Sequence, residues 1–279
     1  MAGSARSAIE PRFRTVDGVD VRYAESEPRD TDALLFAPWP ESLFAYDQVW
    51  SRLAERHHLV AVDLPGFGHS ERRDELLSPR AMGSFVNRLA DEFELEQPHA
   101  VGPDVGTAAV LFAAADAPGR LRSLVVGTGG VAVPIDLGSP LRDWVFAEDL
   151  EPYRQVDPRS MVGAALDTIR GYALPADVRE DYLSGYDGDR FAESMRYVQA
   201  YPDELPVLSD LLPDIHTPVQ IFAGGLDRVV PPANAEYLHD RLPHCRLDIL
   251  DTGHFAWEED PDEFAFMVRD WWDSGYSSV

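Results

Sequence analysis

The stretch VGPDVGT, residues 101–107, places Asp104 at the centre of a Gly-x-Asp-x-Gly pattern. The commoner version of this pattern carries a serine between the glycines, on a sharp turn from a strand into a helix. A serine at that turn attacks acyl carbons, whereas a carboxylate suits a different electrophile. The stretch therefore predicts a strand, a tight turn and a helix, with Asp104 at the turn.

Apolar runs and amphipathic segments alternate on both sides of this turn. The predicted strands are ALLFA (33–37), HLVAVD (58–63), PHAVG (98–102), LRSLVVG (121–127), PVQIFAG (218–224) and CRLDIL (245–250). The spacing of the apolar residues predicts helices over residues 46–57, 78–95, 106–117, 232–242 and 261–272. A hairpin, RFRTV-DG-VDVRYAE, precedes them with Asp17 and Gly18 as its tight turn. This alternation is typical of βαβ units and predicts an α/β fold with a mostly parallel central sheet flanked by helices.

The alternation stops after Gly130. From about residue 131 to residue 212 the sequence has no strand signal and contains amphipathic helical pieces separated by prolines and aromatic residues. An inserted helical block is expected to lie over the carboxyl ends of the strands, where open α/β sheets place their sites. We therefore expect a core domain formed by residues 1–130 and 213–279, and a helical cap domain over residues 131–212.

Composition narrows the class of protein. The chain has 279 residues, 45% of them hydrophobic, and a net charge of −25 from 24 basic and 49 acidic side chains, so we expect neither nucleic acid nor a membrane as partner. The N-terminal MAGSARSAIEPRFR lacks the apolar run of a signal peptide. Cys245 is the only cysteine, which fits a reducing, cytoplasmic location. We expect a neutral, apolar small-molecule substrate and no metal or cofactor; the oligomeric state stays open.

Three polar residues follow predicted strand ends. Asp104 follows PHAVG, Asp227 in FAGGLDRVVPP follows PVQIFAG, and His254 in LDTGHFAWEE follows CRLDIL. Each residue alone is usually a turn or structural residue. Together they have the order nucleophile, acid and histidine that α/β-hydrolases keep along the chain. We therefore expect the three side chains to meet at one edge of the sheet.

The chain resembles the α/β-hydrolase fold family across nearly its whole length. VDLPGFGHSERRD (62–74) resembles the loop after the family's fourth strand, and LLFAPWPESLFAYDQVW (34–50) resembles its oxyanion loop, which usually reads His-Gly-x-Pro. An aspartate at the elbow together with a helical cap resembles the epoxide hydrolase and haloalkane dehalogenase branch. The sequence departs from the family at Ala37 and Pro38, which replace the usual histidine and glycine.

The resemblance implies a covalent mechanism. Asp104 attacks a saturated carbon and forms an alkyl ester, and His254, oriented by Asp227, activates the water that hydrolyses this ester. The expected oxyanion-hole donors are the backbone N–H groups of Trp39 and Val105. Asp136, which follows the preceding strand, is a less favoured alternative to Asp227 as the acid.

The leaving group decides between two reactions. An epoxide opens to a basic alkoxide and needs a proton donor, which cap tyrosines supply in this branch, whereas a halide leaves without a proton. The predicted cap contains six tyrosines: Tyr153, Tyr172, Tyr182, Tyr186, Tyr197 and Tyr201. ESMRYVQAYPDEL (193–205) resembles the late cap helix that carries one family tyrosine, so Tyr197 is the first choice and Tyr201 the second. Trp39, Tyr201 and Trp144 are expected to contact the substrate.

Epoxide hydrolysis is the leading hypothesis. The first alternative is haloalkane dehalogenation through the same ester, although dehalogenases usually have a tryptophan where this chain has Val105. The second alternative is a non-catalytic binder in which Asp104 only hydrogen-bonds a ligand under the cap.

Overall fold

One mixed sheet forms the centre of the protein in the computed structural model, which describes residues 8–279. Residues 1–7, the start of the N-terminal segment that lacks an apolar run, lie outside the described residues. The strands are β1 (Arg12–Val16), β2 (Val19–Glu25), β3 (Asp32–Phe36), β4 (His58–Val62), β5 (His99–Pro103), β6 (Ser123–Gly127), β7 (Val219–Gly224) and β8 (Cys245–Leu250). Their order is β1-β2-β4-β3-β5-β6-β7-β8. The β1–β2 and β2–β4 pairs are antiparallel and the remaining pairs are parallel, which confirms the predicted sheet.

Helices follow most of the strands. They are α1 (Asp47–Leu53), α2 (Pro79–Glu92), α3 (Val105–Asp116), α4 (Leu141–Val145), α5 (Glu151–Arg154), α6 (Pro158–Leu166), α7 (Ala176–Ser184), α8 (Arg190–Gln199), α9 (Tyr201–Leu211), α10 (Ala233–His239), α11 (Ala256–Glu259) and α12 (Pro261–Asp273). None of these helices, within residues 8–279, combines the length and the apolar composition needed to cross a bilayer.

Local signals in the sequence form the expected turns and caps. Asp17 and Gly18 both have positive φ, 50° and 76°, as the tight turns that join antiparallel strands require. Ser78 caps α2, because its side chain accepts a hydrogen bond from the Ala81 N–H, and Pro79 occupies the first helical position. These short-range signals therefore specify the hairpin and the start of α2.

Helices cover both faces of the sheet. Strands β4 to β7 are buried along their whole length, as parallel strands packed on two sides must be. Neighbouring residues of β3 point to opposite faces: Leu34 belongs to the core that includes Phe85 of α2, and Leu35 belongs to the second core, which includes Val268 of α12. The helices thus hold the carboxyl ends of the central strands in a fixed arrangement.

Helices α4 to α9 occupy the segment between β6 and β7, which we call the helical insertion (residues 131–212). A partly buried ion pair attaches it to the sheet: Arg22 of β2 donates to both carboxylate oxygens of Asp181 in α7, at 2.9 and 2.6 Å. Arg22 also lies 3.4 Å from Asp63, and the Ser42 hydroxyl donates to Asp181 at 2.6 Å. The side chains of Arg22 and Asp63 are 7% and 0% exposed, so water screens their charges little.

We predict that Arg22→Met lowers the free energy of unfolding by about 3–5 kcal/mol, because it leaves the buried carboxylate of Asp63 and the partly buried one of Asp181 without their guanidinium partner. Arg159→Met is the matched control: Arg159 pairs with the exposed Glu180 and Asp187 within the helical insertion, so its loss should cost less than about 1 kcal/mol. Urea denaturation of both variants measures the difference, and equal losses would contradict the anchoring role.

Candidate active site

The turn predicted at VGPDVGT lies between β5 and α3 and carries Asp104 in a strained backbone conformation. Asp104 has φ 51° and ψ −120°, a region that costs a non-glycine residue about 1–3 kcal/mol. Its N–H donates to the Gly127 carbonyl at 2.9 Å and its carbonyl accepts from the Thr107 N–H at 3.0 Å, which holds the turn in place. Gly102 allows the close approach, because a Cβ there would lie 2.7 Å from the Gly106 carbonyl oxygen.

Backbone N–H groups bind the Asp104 carboxylate. The Trp39 N–H donates to Asp104 Oδ2 at 2.7 Å, and the Val105 N–H also hydrogen-bonds to the carboxyl group. Pro38 lacks an N–H, but the contact comes from the next residue, so the altered oxyanion loop keeps its donor. The structure therefore brings Trp39 and Val105, the two expected donors, onto the expected nucleophile.

The predicted relay, in which Asp227 contacts His254 and His254 faces Asp104, forms at the same turn. His254 Nδ1 lies 2.8 Å from Asp227 Oδ2, while Asp227 Oδ1 accepts from the N–H groups of Val229 and Val230 at 2.8 and 2.9 Å. A carboxylate partner requires that Nδ1 carries the hydrogen, which leaves Nε2 facing Asp104 Oδ1 at 3.8 Å. Asp136 is exposed and does not contact the ring, so the acid that orients His254 is Asp227.

The charges in the site favour an ion pair. Burial raises the pKa of Asp104, and the charge on His254 and the N–H groups of Trp39 and Val105 oppose this rise. Burial works against protonation of the His254 ring, but the charge and hydrogen bond of Asp227, together with the charge on Asp104, raise its pKa to about 9. The raised pKa of His254 favours the imidazolium form of the ring beside Asp104.

A cavity of about 390 Å³ opens beside Asp104 and His254. Helices α4 and α6 of the helical insertion and the segments next to them cover one side of it. Its lining is apolar apart from Asp104, His254, Thr168 and the indole N–H groups. The lining residues are Trp39, Pro40, Asp104, Pro140, Leu141, Trp144, Met161, Ala164, Ala165, Thr168, Val229, His254 and Phe255.

The structure does not bring the expected tyrosines to this lining. Tyr197, the first choice for the proton donor, lies on α8, and its hydroxyl donates to the Val105 carbonyl oxygen at 2.7 Å. Tyr201, expected to contact substrate, is buried against Tyr197 and Gly130, and it does not line the cavity. The predicted roles of these tyrosines therefore lack geometric support, because Tyr197 on α8 contacts the start of α3 and Tyr201 at the start of α9 packs against Gly130.

Other residues that line the cavity were not predicted from the sequence. Trp39 and Trp144 were expected and do line the cavity, with ring centroids 5.1 Å apart, but Met161, Val229 and Phe255 were missed. Val229 and Phe255 follow Asp227 and His254 closely, so closeness in sequence was an available signal. Met161 lies on α6 without any motif, and its sequence context does not distinguish a cavity wall from ordinary core packing.

Comparison with known proteins identifies the family. A family model described as the alpha/beta hydrolase fold matches residues 39–261, so the chain belongs to the α/β-hydrolase family. This membership makes it a hydrolase of the alpha/beta fold.

The proteins similar to this chain carry names that describe different activities or none. An uncharacterised protein of Mycobacterium tuberculosis is 27% identical over 94% of this chain and 81% of its own. A poly(3-hydroxyalkanoate) depolymerase of Ectopseudomonas oleovorans is 27% identical over 87% of this chain and 86% of its own. The solved structure of the epoxide hydrolase CorEH has a TM-score of 0.80 and 16% identity, and the match covers 95% of this chain and 99% of that one. That structural likeness, at this identity, concerns the fold alone.

We predict that removing the negative charge of either carboxylate lowers the pKa of His254 from about 9. Asp227→Asn should lower it more than Asp104→Asn, because Asp227 lies 2.8 Å from the ring and Asp104 lies 3.8 Å from it. Asp136→Asn, which changes an exposed carboxylate away from the ring, is the control and should leave the pKa unchanged. Nitrogen NMR titration of the His254 ring measures each value; an unchanged pKa in Asp104→Asn would contradict the ion pair.

Proposed function

We propose that this hydrolase opens an apolar epoxide to a vicinal diol through a covalent ester on Asp104. One observation carries the proposal: the elbow holds a carboxylate, with one oxygen on the Trp39 N–H at 2.7 Å and the other 3.8 Å from His254 Nε2. The first oxygen is held for an oxyanion hole, and the second is left as the nucleophile beside the cavity.

A carboxylate suits a saturated carbon. Its attack on an acyl carbon would form a reactive anhydride, which brings little advantage over direct hydrolysis. Its attack on an epoxide carbon breaks a strained C–O bond and forms a stable hydroxyalkyl ester. Asp104 needs no base for this step, because a carboxylate is already ionised and the N–H groups beside it stabilise that state.

The remaining groups serve hydrolysis of the ester. His254, oriented by Asp227, takes a proton from a water that attacks the carboxyl carbon of Asp104. The oxyanion that develops on the Asp104 carboxyl oxygen lies against the N–H groups of Trp39 and Val105, and one such donor contributes about 3–4 kcal/mol to transition-state stabilisation. The enzyme thus uses its oxyanion hole on its own side chain.

The cavity supports a neutral, apolar substrate. Its walls are formed by Trp39, Trp144, Met161 and similar side chains, which cannot replace the hydration of a charged group.

Haloalkane dehalogenation through the same ester is the second candidate. Trp39 favours it: its indole N–H is buried, has no hydrogen-bond partner among residues 8–279, and belongs to a residue of the cavity wall. A halide needs only such N–H donors and no proton. Released halide, with epoxides left unchanged, would favour this candidate.

The test follows oxygen atoms through a single turnover in H₂¹⁸O, with enzyme in excess over styrene oxide or butylene oxide. In the ester route the new hydroxyl oxygen of the diol comes from Asp104, so we expect an unlabelled diol and ¹⁸O in the Asp104 peptide. Label in the first-turnover diol would contradict the proposal, because it requires direct attack by water. Haloalkanes treated in parallel report halide release.

Asp104→Ala is the control for this experiment. It removes the nucleophile, so hydrolysis should fall to background and the peptide should stay unlabelled. A wild-type enzyme that binds these compounds without turnover, with binding unchanged in Asp104→Ala, would instead identify a non-catalytic binder.

A further inference from the structure

We propose that Glu41 is a positioning residue for hydrolysis of the ester: its neutral carboxyl group joins the turn that carries Trp39 to the segment that carries His254. We call residues 38–41 the oxyanion turn and residues 251–259 the histidine segment. The inference rests on the proposed function, because it concerns the step in which the oxyanion hole and the base act together.

Glu41 closes the oxyanion turn with its backbone and reaches the histidine segment with its side chain. Its N–H donates to the Pro38 carbonyl at 3.0 Å, which closes the turn around Trp39. Its Oε2 accepts a hydrogen bond from the Trp257 indole N–H at 2.7 Å. Trp257 lies in α11, which begins two residues after His254. One side chain therefore links the turn that supplies an oxyanion donor to the segment that supplies the base.

Neighbouring residues of the oxyanion turn hold the chain to other parts of the protein. The Ser42 hydroxyl donates to Asp181 of the helical insertion at 2.6 Å, and the Leu43 N–H donates to Asp63, which follows β4, at 2.7 Å. The side chains of the residues just before Trp39, an alanine and a proline, cannot form hydrogen bonds. The position of the turn relative to the base thus depends on the hydrogen bond of Glu41.

The carboxyl group of Glu41 is buried among other acids. Its side chain is 0% exposed, and its Oε1 has no hydrogen-bond partner among residues 8–279. A carboxylate in such surroundings costs far more free energy than a neutral carboxyl group. Burial and the charges of Glu258 and Asp104 raise the pKa of Glu41 well above its ordinary value, and the Trp257 N–H opposes this rise only in part. Glu41 is therefore neutral around pH 7.

Glu258 of α11 does not supply the missing counter-charge. Its Oε2 accepts from the Gln48 side-chain amide at 2.8 Å, and its Oε1 accepts from the Tyr182 hydroxyl at 3.1 Å. Burial raises the pKa of this carboxyl group as well, to about 7. Since Glu258 offers Glu41 neither a positive charge nor a hydrogen bond, the indole of Trp257 is the polar partner of the Glu41 side chain.

A neutral Glu41 suits the chemistry beside it. The oxyanion that develops on Asp104 during ester hydrolysis lies close enough to act on Glu41, as the effect of Asp104 on the pKa of Glu41 indicates. An ionised Glu41 would repel that charge in a low-dielectric surrounding, whereas a neutral carboxyl group accepts the Trp257 hydrogen bond without this repulsion. Glu41 thus holds the turn in place without weakening the oxyanion hole.

Rapid acid quench and intact mass, in a single turnover of styrene oxide, measure ester formation and ester hydrolysis separately. Glu41→Ala and Trp257→Phe each remove the link between the two segments. We expect either substitution to slow ester hydrolysis about 10–100-fold, less than the loss of a whole oxyanion donor, because the donor is displaced rather than deleted. Ester formation needs no oxyanion hole and should change much less, so that the ester accumulates.

Two further variants separate positioning from folding. Glu41→Gln places a neutral amide of the same shape, whose oxygen can still accept from Trp257, and should restore most of the hydrolysis rate that Glu41→Ala loses. Glu193→Ala is the matched control, because Glu193 is a buried acid, 6% exposed, that pairs with Arg154 and Arg196 within the helical insertion. It should not make the ester accumulate. Equal slowing of both steps in Glu41→Ala, or a Glu41→Gln as slow as Glu41→Ala, would overturn the inference.

The double variant Glu41→Ala/Trp257→Phe tests whether the two residues act through one contact. Both substitutions remove the same hydrogen bond, so the double variant should hydrolyse the ester no more slowly than the slower single variant. Losses that multiply would contradict a shared role.

A measurement without substrate separates this inference from the proposed function. The Trp39 N–H donates to a carboxylate at 2.7 Å, so its amide proton should resonate far downfield and should move upfield in Glu41→Ala and Trp257→Phe, but not in Glu193→Ala. A Trp39 amide that stays in place in the first two variants would overturn the inference. A wild type that forms no ester would refute the proposed function itself, and the amide shifts would still decide whether Glu41 positions Trp39.

Discussion

The carboxylate of Asp104 is shared between two kinds of partner, and the rest of the site depends on this arrangement. The Trp39 N–H holds one oxygen at 2.7 Å, and the imidazole of His254 faces the other at 3.8 Å. A buried carboxylate without such partners would take up a proton and lose its nucleophilicity. The strained turn at Asp104 and the relay through Asp227 both serve to keep this geometry. The helical insertion covers the cavity, and electrostatic interactions between these charges are stronger in this apolar surrounding than in water.

Much of the fold was predictable because its signals are local. Buried parallel strands appear in the sequence as continuous apolar runs. The predicted strands HLVAVD and PVQIFAG therefore agree with the bounds of β4 and β7 to within about one residue. The relay residues were predictable for a related reason. The carboxyl ends of parallel strands meet at one edge of the sheet, so Asp104, Asp227 and His254 converge once the strands are assigned.

The cap tyrosines show where prediction from sequence stops. The helical spacing of ESMRYVQAYPDEL indicates helix, which the structure forms as the end of α8 and the start of α9, but it does not indicate which face points to the cavity. That choice depends on how the helical insertion docks on the sheet, through contacts such as Arg22 with Asp181 that lie far apart in sequence. Tyr197 consequently packs toward α3 rather than toward substrate.

The central claim is that Asp104 bonds covalently to a saturated carbon. Tandem mass spectrometry of peptides from wild-type enzyme, quenched in acid during turnover of an epoxide, tests it most directly. The account predicts that the peptide containing residues 101–107 gains the mass of the epoxide and that fragmentation locates this mass on Asp104. An unmodified Asp104 peptide at every time point, while diol accumulates, would contradict it.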